Sequence, residues 1–237
     1  MSLTILIPVR NEEIGILDTL KYFENSWVTD IEHEIILVDD FSTDNTHSKI
    51  QQFQSSKLNY KIIKNKKNGL GSAMTVGIEN SNKKFITIFM ADLSDNIDDL
   101  KKYYQLINDK KLNAVFGSRF IKDSNVINYP MTKYYMNRLA NNIIKIIFFN
   151  NYNDYTNAFK IYERKTLLEL FPLVSENFNI FLELPLKIIT RKYNYEIIPI
   201  SWKGRVSGVS KFNIKELGSK YIFTLLYCLL EKILLKK

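Results

Sequence analysis

The feature that most constrains this chain is a set of short apolar runs, each ending abruptly in polar residues. LTILIPV (3–9) meets Arg10-Asn11-Glu12, EIILV (34–38) meets Asp39-Asp40, FITIFM (85–90) meets Ala91-Asp92, and AVFG (114–117) meets Ser118-Arg119. The runs are nearly continuous in Val, Ile, Leu and Phe, the pattern of strands covered on both faces. YKIIK at 60–64 adds another strand. Segments with helical spacing of apolar residues lie between them, at 14–24, 43–53, 72–79 and 97–107. This alternation predicts an α/β fold, a Rossmann-like and mostly parallel sheet with helices on both faces.

Beyond Phe120 the pattern is less regular. A long helix is expected over 131–149, then the polar turn NNYNDYTN (150–157), a strand at 158–162, a helix near 181–191, a strand at 196–202 and a helix from about 214 to 235. No repeat, low-complexity tract or flexible linker divides the chain. Residues 1–212 read as one domain, with 213–237 as a C-terminal amphipathic helix packed on that domain or on a membrane surface.

In an open parallel sheet, ligands bind beyond the carboxyl ends of the strands. Any one of these polar ends would be explained as a helix cap, as Ser42, Thr43 or Asp44 would be before the second helix. Several on one sheet edge point to a ligand site. Carboxylates accept hydrogen bonds from base N–H groups and ribose hydroxyls, and they hold divalent cations. Arg119, Arg205 and Lys211 can neutralise phosphate oxygens. A nucleotide diphosphate bridged by Mg²⁺ or Mn²⁺ uses all of these groups. No G-x-G-x-x-G follows the first strand, and there is no G-x-x-x-x-G-K-[ST] loop. The net charge of +8 favours anionic partners. Nucleic acid fits poorly, because acidic strand ends repel phosphate.

PVRNE (8–12), VDDFSTDNT (38–46), NGLGSA (68–73), MADLSD (90–95), GSRF (117–120), DYTNAFKIY (154–162) and WKGRVSGVSKF (202–212) follow one another along the chain. In this order they resemble the family 2 glycosyltransferases of GT-A fold, and within them the dolichol-phosphate mannose synthase group, whose R-x-x-G-x-S-K segment matches 205–211. The resemblance implies an inverting, metal-dependent transferase. It places Pro8 and Glu12 against the nucleoside and Asp39 on a base N–H, within a donor-binding set of Pro8, Val9, Asn11, Glu12, Asp39, Asp40, Gly71, Ala91 and Asp92. It makes Asp92 the acid nearest the metal-bridged diphosphate. Arg119 and Arg205 would face phosphates of donor or acceptor, and Lys211 would join Asp92, Arg119 and Arg205 in the catalytic set.

One departure stands out. The family commonly carries Asp-Ala-Asp, whereas this chain has Met90-Ala91-Asp92. A thioether is a poor ligand for a hard cation. The metal would then rest on Asp92, the donor phosphates and water, with Asp95 as the candidate second carboxylate. SDNIDD (94–99) also reads as a helix start in which Ser94 or Asp95 caps and Asp98 and Asp99 suit the helix dipole. Both readings of Asp95 stand at the level of sequence.

A hydroxyl acceptor would need a carboxylate base, for which Glu183 and Asp154 are the candidates. Glu183 reads equally as an anchor for a helix or a basic side chain. A lipid phosphate needs only cations, and Arg119, Arg138, Lys203, Arg205 and Lys211 are available, although Arg138 and Lys203 read as a solvated basic face. NIIKIIFF (142–149) and the stripe Leu217, Tyr221, Leu225, Leu229 and Ile233, finished by Lys236-Lys237, suit either a core or the plane of an anionic membrane. The single cysteine excludes an internal disulfide and indicates a reducing compartment. The start of the chain carries no secretory signal, and no apolar run reaches the roughly 18 residues of a spanning helix. The expectation is a transferase moving a hexose from a GDP- or UDP-sugar to a polyprenyl phosphate, peripherally bound to the cytoplasmic face of a membrane. Its rivals are transfer to a hydroxyl of a surface glycan and a non-catalytic nucleotide-sugar binding module.

Overall fold

The structure, a computed structural model, describes residues 1–204 and 214–235. Strands β1 (Ser2–Val9), β2 (Glu32–Asp39), β3 (Tyr60–Lys64), β4 (Phe85–Ile88), β5 (Ala114–Ser118), β7 (Lys160–Glu163) and β8 (Tyr195–Pro199) form a seven-stranded sheet in the order β3-β2-β1-β4-β7-β5-β8. All neighbours are parallel except β7, which runs antiparallel to both β4 and β5. Burial is nearly complete along β1, β2, β4 and β5. That is the physical meaning of their unbroken apolar sequences, since both faces are covered. Leu20, Phe23, Leu100 and Tyr103 pack on one face, and Met74, Ile78, Leu184 and Ile188 on the other.

Helices α1 (Ile16–Glu24), α2 (Thr46–Gln52), α3 (Leu70–Asn80), α4 (Ile97–Asp109), α5 (Met131–Phe148) and α7 (Ile180–Thr190) fall where apolar spacing predicts them. Helix α2 starts later than expected, because residues 42–46 are used to tie the end of β2 to the end of β1. The expected strand at 196–202 is broken. Pro199 lacks an N–H for the ladder, and after Ile200 the chain leaves the large sheet to form β9 (Ser201–Lys203). That strand pairs in a separate ribbon with β6 (Asn125–Ile127). Neither β6 nor the short α6 (Arg164–Glu169) was anticipated, each being too short to show a period.

The last helix, α8 (Ile214–Leu234), lies against α7. The stripe read from sequence proves to face inward over most of its length. Tyr221, Leu225 and Leu229 pack on the core beside buried Cys228, while Ile233 is exposed. The apolar residues that α8 presents outward are others: Ile222, Phe223, Leu226 and Leu230. Helix α5 does the same with Tyr135, Leu139, Ile143 and Ile146, and Leu139 is 65% exposed. The two helices meet where Lys232 Nζ donates to the Phe148 carbonyl at 2.8 Å. Among the described residues no helix is long and apolar enough to cross a membrane.

Candidate active site

Strands β1, β2 and β4 each end in the same device. In the chain beyond each strand, a non-glycine residue takes a left-handed conformation: Asn11 (φ 51°), Phe41 (φ 58°) and Leu93 (φ 53°). Few non-glycine residues adopt it, and such strain clusters at functional sites. At Phe41 and Leu93 the turn directly follows an acid, Asp40 and Asp92. Asn11 and the next loop then lock together: Asn11 N–H donates to Ser42 Oγ (3.0 Å), Thr43 N–H to Asn11 Oδ1 (2.7 Å) and Glu12 N–H to Thr46 Oγ1 (2.8 Å).

A first cleft of about 220 Å³ opens above β1 and β2, lined by Pro8, Val9, Glu12, Asp40, Asn68 and Gly69 among others. Asp40 organises it. Its Oδ1 accepts from Gly69 N–H (2.9 Å) and Asn65 Nδ2 (2.7 Å), and its Oδ2 lies 3.8 Å from Arg10 Nη1. Asp39 points elsewhere: Oδ1 accepts from Ser42 N–H (3.0 Å) and Oδ2 sits 2.9 Å from His47 Nδ1. Gly71 lies behind the cleft, its N–H donating to the Glu176 carbonyl at 2.9 Å.

A second cleft of about 190 Å³ lies beside the end of β4 and contains Asp92, Asp95 and Arg119. Met90 and Phe178 line both clefts, so the residue in the place of an expected acid stands on the boundary between them. Asp92 Oδ1 accepts from the N–H (3.1 Å) and hydroxyl (2.6 Å) of Ser94. Asp95 is only 5% exposed and its Oδ1 has no hydrogen-bond partner. Burial first, and then the Asp92 charge, push the Asp95 carboxyl up to about 8, against the opposing pull of Arg119 and Lys160. The cap of α4 is Asn96, whose Oδ1 accepts from Asp98 N–H at 2.7 Å. The capping reading of Asp95 is therefore corrected.

Arg119 is fixed before any ligand arrives. Its Nε and Nη2 fork onto Asp154 at 2.8 and 2.7 Å, and its backbone N–H adds a third bond to Asp154 at 2.9 Å. The rings of Phe120, Tyr129 and Trp202 lie 5.4–5.6 Å from the guanidinium carbon, within cation–π range. Burial opposes the charge of Arg119, but Asp154 more than restores it. Lys133, in the first turn of α5, reaches the same cleft. Partial burial and the Arg119 charge lower its pKa, and Asp92 opposes them. Lys160 is buried beneath the cleft, with Nζ donating to the carbonyls of Tyr155 (3.1 Å) and Asn157. Burial brings its pKa down to about 7.

Both general-base candidates read from sequence are corrected. Asp154 is fully buried and its two oxygens are taken by Arg119. Glu183 is fully buried too, accepting from the N–H groups of Val174 and Ser175 and pairing with Lys187 at 2.9 Å. Arg138 donates to the Phe120 carbonyl (3.2 Å) and is a half-buried support of the cleft rather than a solvated charge. Of the donor set, Pro8, Val9, Glu12 and Asp40 line the first cleft, whereas Asn11, Asp39, Gly71 and Ala91 do not. Asp92, Asp95 and Arg119 meet in the second. Arg205 and Lys211 lie outside the described residues. Sequence reading missed Lys133, Tyr129 and Trp202. For Lys133 a signal existed: a cation in the first turn of a helix opposes the dipole and needs another reason to be there.

Among the described residues, no three His, Cys, Asp or Glu side chains gather closely enough to hold a metal alone. Asp92 and the orphaned oxygen of Asp95 fit a hard cation in kind, though not in number. Mg²⁺ is typically held by one or two carboxylates together with substrate phosphates.

The architecture is the GT-A fold of glycosyltransferases. It matches Staphylococcus aureus TarS residues 1–349 with a TM-score of 0.68 at 16% identity, covering 100% of this chain and 66% of that one. It also matches glucosyl-3-phosphoglycerate synthase from Mycobacterium tuberculosis, in complex with Mn²⁺, uridine diphosphate and phosphoglyceric acid, with a TM-score of 0.70 at 14% identity, covering 96% of this chain and 78% of that one. The chain belongs to glycosyl transferase family 2, whose model matches residues 4–171. It is similar to a dolichol-phosphate mannosyltransferase of Pyrococcus furiosus, 27% identical over 91% of this chain and 60% of the relative. It is similar also to a dolichyl-phosphate beta-glucosyltransferase of Saccharomyces cerevisiae, 27% identical over 84% of this chain and 66% of the relative. The chain thus spans about two thirds or less of these curated relatives.

Proposed function

We propose that this chain transfers a hexose from a GDP- or UDP-sugar, seated in the first cleft, to a polyprenyl phosphate whose phosphate enters the second. The observation that carries the reading is the meeting of charges in the second cleft. Asp92 and Asp95 line it together with Arg119 and Lys133, and both carboxylates that sequence offered as bases, Asp154 and Glu183, are buried and engaged elsewhere. A phosphate acceptor is already anionic and needs cations to position it rather than a base. One of its oxygens attacks the anomeric carbon, the bond to the donor's diphosphate breaks, and the nucleoside diphosphate leaves with the electron pair. Mg²⁺ or Mn²⁺, when bound by Asp92, Asp95 and the donor phosphates, supplies charge neutralisation for that leaving group. Arg119 holds its place through Asp154 and the surrounding rings, so orienting the acceptor needs no rearrangement of its guanidinium.

The relatives named for dolichol and dolichyl phosphate favour a lipid acceptor. So do the outward apolar residues of α5, because Lys133 and Asn137 of that helix line the second cleft while Tyr135 and Leu139 point to solvent. A membrane surface is the partner this arrangement suits, with the chain lying peripherally on its cytoplasmic face. A second reading, a hydroxyl acceptor, is favoured by one observation: Asp95, with its raised pKa and orphaned oxygen, is suited to a general base. The deciding experiment incubates the protein with labelled GDP- and UDP-hexoses, Mn²⁺ and polyprenyl phosphate. Label partitioning into butanol supports the lipid reading. Label appearing only on a soluble glycan would overturn it, and absence of both transfer and donor hydrolysis would leave a binding module.

A further inference from the structure

Among the described residues, helix α8 contributes Tyr221 to the second cleft and none to the first. Yet it is bonded to the segment that walls the first. Thr224 is fully buried. Its hydroxyl donates to the Lys220 carbonyl of its own helix (3.0 Å) and accepts from Asn179 Nδ2 (2.9 Å), with Ser175 Oγ at 3.2 Å. Asn179 Nδ2 also donates to Ser175 Oγ at 2.9 Å, closing a triangle. All three residues are buried, and the two protons of the amide and the two hydroxyl protons each have an acceptor. Asn179 Oδ1 then accepts from Asn177 N–H at 3.3 Å.

The far edge of this segment reaches the donor side. Asn177 and Phe178 line the first cleft, and the Glu176 carbonyl accepts from Gly71 N–H. The approach is so close that a Cβ on Gly69 would overlap the Glu176 carbonyl oxygen, and one on Gly71 the Ser175 carbonyl oxygen. The NGLG glycines therefore admit this segment, which explains why Gly71 sits behind the cleft.

We infer that Thr224 is a positioning residue for the donor cleft, acting through the Ser175–Asn179 triangle on Asn177, Phe178 and Gly71. The inference rests on the proposed reading of the first cleft as the donor site. Gly71 also supplies a reporter free of that reading. It lies in the first turn of α3, where an N–H has no partner within its own helix, so its protection depends on Glu176.

The test compares Thr224→Val, Thr224→Ser and Cys228→Ala in the full chain. Cys228 is buried one turn further along α8, and among the described residues no hydrogen bond joins its thiol to residues 175–179, so it controls for general loosening. In Thr224→Val the buried Asn179 amide loses an acceptor. Amide exchange at Gly71 should quicken by roughly tenfold, as expected when a local opening becomes easier. Affinity for UDP or GDP, each measured with Mn²⁺ by calorimetry, should fall by a similar factor. Thr224→Ser should restore both, and Cys228→Ala should change neither by more than about twofold. Unchanged exchange at Gly71 in folded Thr224→Val overturns the inference, as does an equal change in Cys228→Ala. Should Thr224→Val not fold, Ser175→Ala opens the same triangle from the other side and is read in the same way. Failure of the wild type to bind either nucleotide would refute the donor reading, while the exchange result still decides the positioning role.

Discussion

The two clefts share Met90 and Phe178 but are built in different ways. The first is made mainly of residues at or just past strand ends, Pro8, Val9, Arg10, Glu12 and Asp40, with the turn at Asn68–Leu70. The second draws Asp92, Arg119, Tyr129, Lys133, Asn157, Trp202 and Tyr221 from separate elements. The first is organised by an acid that accepts backbone and amide N–H groups, the second by a cation inside aromatic rings. On the proposed reading, the first cleft takes the base and ribose of the donor and the second takes the charged phosphates.

The strongest way to break this contrast is at Asp92, the second-cleft acid two residues from the shared Met90. Asp92→Asn should lower turnover by at least about a hundredfold, the scale on which charge stabilisation in a transition state is lost. Unfolding temperature should stay near that of the wild type, since Asn can still accept from Ser94. Asp95→Asn mimics the protonated acid and should fold well; a comparable loss of turnover there, accompanied by weaker binding of Mn²⁺ with nucleotide, would make Asp95 a metal ligand. Full activity in Asp92→Asn would remove the metal and diphosphate from this cleft altogether.

Next in size is the buried pair. Asp154→Asn strips Arg119 of its counter-charge and should destabilise the fold by about 3–5 kcal/mol, the usual cost of orphaning a buried charge. Urea unfolding measures it. Arg119→Lys should also cost activity far beyond a conservative change, because the fork on Asp154 is lost. A loss in Asp154→Asn below about 1 kcal/mol would mean that solvent reaches Arg119 and the pair is of the surface kind.

A smaller and more selective effect is expected at Lys133. Lys133→Ala should raise the KM for polyprenyl phosphate by about ten- to a hundredfold, the range for one charge-assisted contact of about 1.5–3 kcal/mol. Donor hydrolysis should change little. Equal damage to both would show that Lys133 serves the donor phosphates and that the division between the clefts is drawn in the wrong place.

This difference also explains what could be read from sequence. The sheet was legible because β1, β2, β4 and β5 are continuous apolar runs, and the acids at their ends needed no further assembly. The seats of Asp154 and Glu183 were not legible, because nothing local distinguishes a solvent-facing carboxylate from one held by Arg119 or by the Val174 and Ser175 amides. Tyr129 and Trp202 escaped notice because they come together through β6 and β9, a ribbon too short to carry a period. Sequence spacing marked one apolar stripe on α8, but a broadly apolar helix does not reveal which side is covered. Tyr221 and Leu225 proved to be inside and Ile222 and Leu226 outside.

The smallest expected effect concerns pH and the floor of the second cleft, where Asp95 and Lys160 carry opposite shifts. With its folded pKa raised to about 8 from the ordinary carboxyl value of 3.8, Asp95 makes the native chain bind more protons than the unfolded one between those values. Stability from this group is therefore greatest in acid and declines as pH rises through the window. Lys160 behaves in reverse. Its folded pKa of about 7 against the ordinary lysine value of 10.5 makes the unfolded chain bind more protons, so its contribution improves as pH rises above 7. Since each charge favours the ionised form of the other, the two titrations are coupled and belong to the pair. Asp95→Asn should raise the unfolding temperature relative to wild type at pH 8 and leave it nearly unchanged at pH 4. Lys160→Met should forfeit the hydrogen bonds to Tyr155 and Asn157 at every pH while flattening the rise above pH 7. Thermal melts from pH 4 to 10 measure both, with about 2–4 °C expected per kcal/mol for a domain of this size. Parallel pH profiles for wild type and Asp95→Asn would mean that Asp95 is hydrated and ionised in the free protein. The acids of the second cleft would then carry full charge before any metal arrives, and the contrast in charge between the two clefts would be sharper than the buried geometry of Asp95 implies.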